Sequence, residues 1–283
     1  MNPPIERVGL VINKRKLGAS LLAKKLKAWF RKKRKVVFEG SRDNVRSVIQ
    51  KADLLVCLGG DGTILNVAGH MVQRSIPVLG VNLGGLGFLT GVKGKEVFGE
   101  LEAILSGSCK IEERILLRVQ LRTSKGSQFF QGLNDVVINR EGLARYLKVT
   151  VKAGGEDLMS FSGDGVIVAT PTGSTAYSFS AGGPFIYPTL DSFVVTPICA
   201  HALLTRPIVL PTEKKINIAF EVEKGNGKAS ITVDGQIKRA ISSQHYIEIA
   251  KAPLHFKLIG SSQRSYLETL REKFGMVQMV QNG

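Results

Sequence analysis

Short, wholly apolar runs alternate with stretches of helical period along the first hundred residues. Val8-Gly9-Leu10-Val11-Ile12 predicts a buried strand, and residues 17–33 predict an amphipathic helix with Leu22, Leu26 and Trp29 on one stripe. Val36-Val37-Phe38, Leu54 to Leu58 and Ile76 to Val81 read as further strands. Val45, Val48 and Ile49 mark a short helix, residues 63–74 another, and Val97, Phe98, Leu101, Ile104 and Leu105 a fourth. Apolar strands alternating with helices predict a parallel sheet covered on both faces.

The period changes near Ile111. Leu117, Val119 and Leu121 alternate with Arg118, Gln120 and Arg122, and Leu147, Val149 and Val151 with lysine and threonine. Ile216, Ile218, Phe220 and Val222 repeat the pattern, as do Leu254, Phe256 and Leu258. Gly154-Gly155 and Gly225-Asn226-Gly227 suit hairpin turns. The reading is an α/β domain over residues 1–112 and an all-β, sandwich-like domain over 113–262. A helical tail over 263–283 is expected to pack back on the first domain.

Charge narrows the partners. With 39 Lys+Arg against 23 Asp+Glu, the net charge is +16, which suits anionic partners. Lys24-Lys25, Lys27 and Arg31-Lys32-Lys33-Arg34-Lys35 read better as a solvated helix face than as a nucleic-acid patch. No aromatic residues interleave with the basic ones as base stacking would require, so no nucleic-acid partner is expected. Cys57, Cys109 and Cys199 are odd in number and lack metal or redox spacing, which fits a reducing compartment. No secretory segment or membrane-length apolar run is present, and a cytoplasmic protein is expected.

Candidate chemistry sits in glycine-rich segments. Gly59-Gly60-Asp61-Gly62-Thr63 joins an apolar strand to a helix, where backbone N–H groups and a helix start can cradle phosphate. A packing turn is the alternative. Asp61 would repel phosphate, so its presence there wants a hydroxyl to bind, a proton to accept or a metal to hold. The segment is neither a Walker loop nor a dinucleotide fingerprint. A second turn, Gly84-Gly85-Leu86-Gly87-Phe88, follows the next strand, and loops at the carboxyl ends of parallel strands share a crevice. Asn134-Asp135 starts an apolar strand. Gly163-Asp164-Gly165 leads through Val166 to Ala169 into a run of small hydroxyl residues from Thr170 to Gly183. Asp234-Gly235-Gln236 suits a hairpin turn.

In order and approximate spacing these segments resemble the NAD kinase family, over roughly residues 7–260. The five-residue turn also occurs in phosphofructokinases and in diacylglycerol and sphingosine kinases; the Thr170–Gly183 run is the more specific element. The resemblance implies an α/β domain followed by a β-sandwich-like NAD-binding domain. It implies transfer of the terminal phosphoryl of ATP, or of polyphosphate, to the 2′-hydroxyl of the adenosine ribose of NAD. A divalent cation, usually Mg2+, and a homodimer or homotetramer are implied with it. By matching position, Asp61 is the implied proton acceptor, with Gly59, Gly60, Gly62 and Thr63 at the phosphates. Asn134 and Asp135 hold the adenosine, while Arg145, Ser162, Asp164 and Gln236 fall at dinucleotide-binding positions. Thr175, Ala176, Tyr177, Ser178, Phe179 and Ser180 form the implied binding loop. Three departures stand out. Asp135 replaces the usual glutamate, Ser162 stands at an often basic position, and Cys199-Ala200-His201-Ala202-Leu203 lacks the proline and serine of a Pro-His-Ser-Leu element. A related lipid or sugar kinase is the first alternative, and a non-catalytic nucleotide- or nucleic-acid-binding protein the second.

Overall fold

The computed structural model describes residues 4–85, 87–142, 146–202, 204–222 and 228–275. Arg145 and the Gly225-Asn226-Gly227 turn lie outside the described residues. The chain divides into two compact units, Met1–Glu113 with Phe256–Gly283, and Arg114–His255.

The first unit runs β1 (Arg7–Ile12), α1 (Ala19–Lys32), β2 (Val36–Gly40), α2 (Val45–Lys51), β3 (Leu54–Gly59), α3 (Asp61–His70), β4 (Val78–Asn82), β5 (Val92–Lys93), α4 (Val97–Leu105) and β6 (Ile111–Arg114). The second unit continues with β7 (Leu117–Thr123), β8 (Gly126–Gly132), β9 (Asp135–Glu141), β10 (Leu147–Ala153), β11 (Glu156–Gly163) and β12 (Gly165–Ala169). A 3-10 turn (Thr172–Thr175) and α5 (Tyr177–Ser180) lead into β13 (Ser192–Ile198), β14 (Ile208–Pro211), β15 (Ile216–Val222), β16 (Lys228–Val233), β17 (Ile237–Ile241) and β18 (Tyr246–Lys251). The chain then returns to the first unit with β19 (Phe256–Ile259) and α6 (Tyr266–Phe274).

The first sheet has the order β2-β1-β3-β4-β19-β6, with β5 paired to β4. β1 pairs in parallel with both β2 and β3, and β3 with β4, as the all-apolar strands require. Strand order reverses between β1 and β3. In an open sheet of this kind the crevice outside the carboxyl ends at that reversal is where ligands bind. The Gly59–Thr63 segment leaves β3 at that point. Ala19, Ala23, Leu26 and Phe30 of α1 pack on Val8, Leu10, Leu54 and Val56, while most of the basic residues of α1 face outward. Lys27 pairs with Glu39, and Lys33 with Glu102.

Two elements depart from the sequence pattern. The helix expected at 63–74 runs from Asp61 to His70, which makes Asp61 its first residue. A carboxylate there complements the positive end of the helix dipole and strengthens the start. The alternation at Leu254, Phe256 and Leu258 belongs to β19, parallel to β4 in the first sheet, with Leu258 opposite Val78. Period two identifies a strand but not the sheet that accepts it.

The second unit stacks two antiparallel sheets, β11-β10-β15-β18-β7-β8 and β14-β13-β12-β9-β16-β17. Val119, Val149, Phe220 and Ile249 of one sheet meet Val136, Val166, Phe193 and Ile231 of the other in a shared core. The second sheet is covered on its other face too, where Ile186 packs on Val137, Ile167, Ala169, Val194 and Ile198. That second cover explains why β12 is buried at every residue instead of alternating.

Candidate active site

In the first unit the two glycine-rich turns are bound to each other through Asp61. Gly60 is extended, with φ −122° and ψ −173°, and Asp61 opens α3. The Asp61 carboxylate then reaches the second turn. Its Oδ1 accepts from the N–H of Leu89 at 3.1 Å, the N–H of Thr90 at 3.1 Å and the hydroxyl of Thr90 at 2.9 Å. Its Oδ2 accepts from the N–H of Phe88 at 2.8 Å. A carboxylate offers about four lone-pair sites. Three donors crowd Oδ1, whereas the single bond to Oδ2 leaves that oxygen able to accept another proton donor. Thr90 is fully buried, and its hydroxyl also accepts from Asn82 Nδ2 at 3.1 Å. Asn82 also secures the same loop by donating to Gly85 O at 2.6 Å and accepting from Gly84 N–H at 2.7 Å.

The glycines of this region divide into closed and open ones. A Cβ on Gly87 would lie 2.0 Å from Asp61 Oδ1, so only glycine admits the carboxylate. A Cβ on Gly60, Gly62 or Gly85 would meet nothing within 4 Å. The open positions flank the start of α3, where an anion gains from the helix dipole and from close backbone approach. Lys16, in the loop after β1, stands beside this surface: a Cβ on Gly84 would lie 3.4 Å from its Nζ. The sequence reading passed over Lys16, because a lysine in a basic N-terminal stretch carries no signal of its neighbours.

In the second unit Asn134, Asp135, Ala176 and Tyr177 line one cavity of about 370 Å³, with Asn139, Arg140, Glu141, Asp234 and Lys238 among the other walls. The Asp234-Gly235-Gln236 segment is the turn between β16 and β17, with Asp234 left-handed at φ 52°. The Asp234 carboxylate accepts from three consecutive N–H groups, those of Leu133 at 2.8 Å, Asn134 at 2.8 Å and Asp135 at 3.1 Å. It therefore fixes the backbone that presents Asn134 and Asp135. Burial pushes the Asp135 carboxyl up to about 7, and the charge of Asp234 adds to the rise. Burial pushes Asp234 up to about 6 against the pull of its three N–H donors, which keep it the more acidic of the two.

The Thr170–Gly183 run is stitched to the same backbone. Thr170 donates its hydroxyl to Leu133 O at 2.5 Å and its N–H to Asn134 O at 2.8 Å. A Cβ on Gly173 would stand 2.0 Å from Asn134 O, so the turn closes onto Asn134 only with glycine. Thr175 bonds Thr172 O at 3.3 Å, Ser178 is fully buried with its hydroxyl 2.8 Å from that of Thr196, and Phe179 stacks on Phe185 at 4.5 Å. Ser180 closes α5. Asp164 is paired to Arg140, Nε to Oδ1 at 2.5 Å. Ser162 O accepts from the N–H of His201 at 2.8 Å, and the N–H of Gln236 donates to Val233 O at 2.9 Å. Cys199, left-handed at φ 46°, His201 and Arg206 border a separate cavity of about 470 Å³. Arg140 and Lys238 line the Asn134–Asp135 cavity without having been singled out in the sequence. A cation on a half-exposed strand is unremarkable until the sheet places it beside a carboxylate.

The comparisons with known proteins agree in both units. The ATP-NAD kinase N-terminal domain matches residues 32–109, and the ATP-NAD kinase C-terminal domain matches residues 133–261. The chain is 42% identical over 239 residues to the NAD kinase of Geotalea daltonii, covering 83% of this chain and 82% of that one. It is 38% identical over 279 residues to the NAD kinase of Syntrophobacter fumaroxidans, covering 95% and 98%. Among solved structures, an NAD kinase from Archaeoglobus fulgidus in complex with ATP superposes with a TM-score of 0.75 at 26% identity, over 97% of this chain and 99% of that one. The fold is shared with yeast NADH kinase complexed with NADH, at a TM-score of 0.87, 23% identity and coverage of 97% and 88%. Similarity of this degree over nearly the whole of both chains makes this protein a member of the NAD kinase family.

Proposed function

We propose that the protein transfers the terminal phosphoryl of ATP, or of polyphosphate, to the 2′-hydroxyl of the adenosine ribose of NAD, giving NADP. The observation that carries the chemistry is the Asp61 carboxylate, aimed by four donors with Oδ2 left able to accept. Phosphoryl transfer needs positioning and charge stabilisation more than covalent help. As the bond from the ribose oxygen to the γ-phosphorus forms and the bond to the ADP oxygen breaks, the hydroxyl proton passes to Oδ2 of Asp61. The open glycines Gly60 and Gly62, with Thr63 and the start of α3, receive phosphate, and Lys16 adds a cation nearby. Asn134 and Asp135 hold the adenosine, with Tyr177 and Ala176 on the same cavity wall. The Asp164–Arg140 pair supplies the dinucleotide with a fixed acid and a cation in place of the basic residue that Ser162 lacks.

A divalent cation, in our reading Mg2+, would be carried by the ATP phosphates. Mg2+ is held mainly through substrate phosphates and water rather than by an all-protein cage. Among the described residues no three His, Cys, Asp or Glu side chains gather around a cation position. Its part is to neutralise the transferring phosphate. We place the enzyme in the cytoplasm as a homodimer or homotetramer. Three unpaired cysteines support a reducing compartment, and among the described residues no helix is long and apolar enough to cross a membrane.

The test is direct. Protein with Mg-ATP and NAD should yield NADP in a dehydrogenase-coupled assay, and no product with ATP or polyphosphate would sink the proposal. Asp61→Asn should lower kcat by roughly 10²- to 10⁴-fold with an unchanged circular dichroism spectrum. Near-normal turnover would remove Asp61 from the proton-accepting role.

A further inference from the structure

The C-terminal helix meets the Asp61 network at the side chain of Phe88. The ring of Phe88 lies 6.0 Å from the ring of Tyr266 and 6.0 Å from the ring of Phe274, and Lys273 Nζ sits 4.6 Å from its centroid. All three partners belong to α6. The backbone N–H of the same Phe88 is the donor to Oδ2, the carboxylate oxygen able to take the ribose proton. Leu89 and Thr90 hold Oδ1 and are themselves buried, so that end of the carboxylate is secured by buried loop residues. The orientation of Oδ2 depends on where the peptide of Phe88 is kept.

α6 is built to keep it. Its first turn carries a reciprocal cap, with Glu268 N–H on Ser265 Oγ at 3.2 Å and Ser265 N–H on Glu268 Oε2 at 2.7 Å. The segment entering it is tied to Glu100 of α4, a carboxylate 4% exposed, by Ser261 Oγ at 3.2 Å, Ser262 N–H at 2.9 Å and Ser262 Oγ at 2.9 Å. Gly275 ends the helix in the left-handed region at φ 66°. A helix capped at both ends and anchored to a buried acid makes a firm wall for an aromatic ring.

We infer that α6 positions the catalytic carboxylate: by gripping Phe88, it sets the N–H that aims Asp61 Oδ2 at the substrate hydroxyl. The inference rests on the proposed role of Asp61 as proton acceptor. Tyr266, Phe274 and Lys273 are positioning residues, not catalytic ones, because they act through Phe88.

The experiment compares full-length Tyr266→Ala/Phe274→Ala with the ring-keeping exchange Tyr266→Phe/Phe274→Tyr and with Asp61→Asn. The alanine pair should lower kcat by about ten- to a hundredfold, the size that small misplacements of a reacting group produce. KM for NAD and ATP should stay within about twofold, as expected for a loss confined to the transition state. Amide exchange should speed up at Phe88, Leu89 and Thr90 while β1 and β3 stay protected. The ring-keeping exchange should recover most of the rate. An unchanged kcat in the alanine pair, with Asp61→Asn inactive, overturns the positioning role alone. So does a rate loss that follows only the fraction of protein folded. Retained turnover in Asp61→Asn overturns the proton-acceptor reading, and the positioning role with it.

Discussion

A methyl group on Gly87 would sit 2.0 Å from Asp61 Oδ1 and 2.4 Å from Thr90 Oγ1, inside the space the carboxylate occupies. Gly87→Ala should therefore expel Asp61 from its four donors and lower kcat by about a hundredfold in the coupled assay. Gly60→Ala is the informative companion. Its Cβ meets no protein atom within 4 Å, so the melting temperature should hold, and a rise in KM for ATP would mark where phosphate rests. An unaltered KM would move the phosphates off this turn. Asp135 supplies a prediction in pH. Its carboxyl rises from an ordinary 3.8 to about 7 on folding, so the folded chain keeps a proton that the unfolded chain has released. This contribution to stability is full at low pH and is lost as the pH climbs through that window, by at most about 1.4 kcal/mol per pH unit. Urea unfolding of Asp135→Asn should show less decline than the parent over the same range. Parallel slopes would show that Asp135 does not titrate there. At this scale the identity of Asp61 was legible in the sequence and its surroundings were not. The four donors come from positions 27 to 29 residues away, and no local pattern encodes a contact across two turns.

Among elements, those with strong period were the most legible. The alternation of β7, β10 and β15 appears where its pattern places it, while α1 buries Ala19, Ala23, Leu26 and Phe30 and leaves the expected Leu22 and Trp29 half-buried at the edge of that face. Boundaries and partners were less so. α3 begins two residues before the expected start, because an acid and glycines at a helix start read equally well as loop. β19 carries a strand pattern that suits an antiparallel sheet and instead lies parallel to β4. The Thr170–Gly183 run reads as small and polar, yet much of it is buried against the second sheet, with the Ser174 hydroxyl accepting from Ile186 N–H at 3.0 Å. Gly173→Ala should drive the 3-10 turn away from Asn134 O and destabilise the second unit by about 1–3 kcal/mol, read by urea unfolding. A neutral result would mean that the turn yields without strain. Removing the α6 cap with Ser265→Ala should weaken the helix by about 1 kcal/mol, seen as faster amide exchange confined to it.

Charge acts on the whole molecule. With a net charge of +16 and substrates that are anions, encounter should be steered. The value of kcat/KM for ATP should fall as salt rises while kcat stays flat, because screening weakens long-range approach more than the short, part-buried bonds around Asp61. A flat kcat/KM would show that the excess charge faces away from the substrate path.

By itself, the sequence determined what local rules control: two patterns of hydrophobicity, the glycine-rich turn with its acid, and enough ordered motifs to indicate a family. These follow from backbone sterics and from the burial of one face, which act over a few residues. Tertiary structure alone decided what surrounds Asp61. Placing Gly59–Thr63 at the reversal of strand order, and folding the second glycine turn over it, made the acid a held acceptor whose Oδ2 carries a single bond. Tertiary structure also made Asp234 the anchor of Asn134 and Asp135, and brought α6 onto Phe88. Those contacts join segments up to 186 residues apart, Phe88 to Phe274, and their energy exists only once the fold has closed the distance.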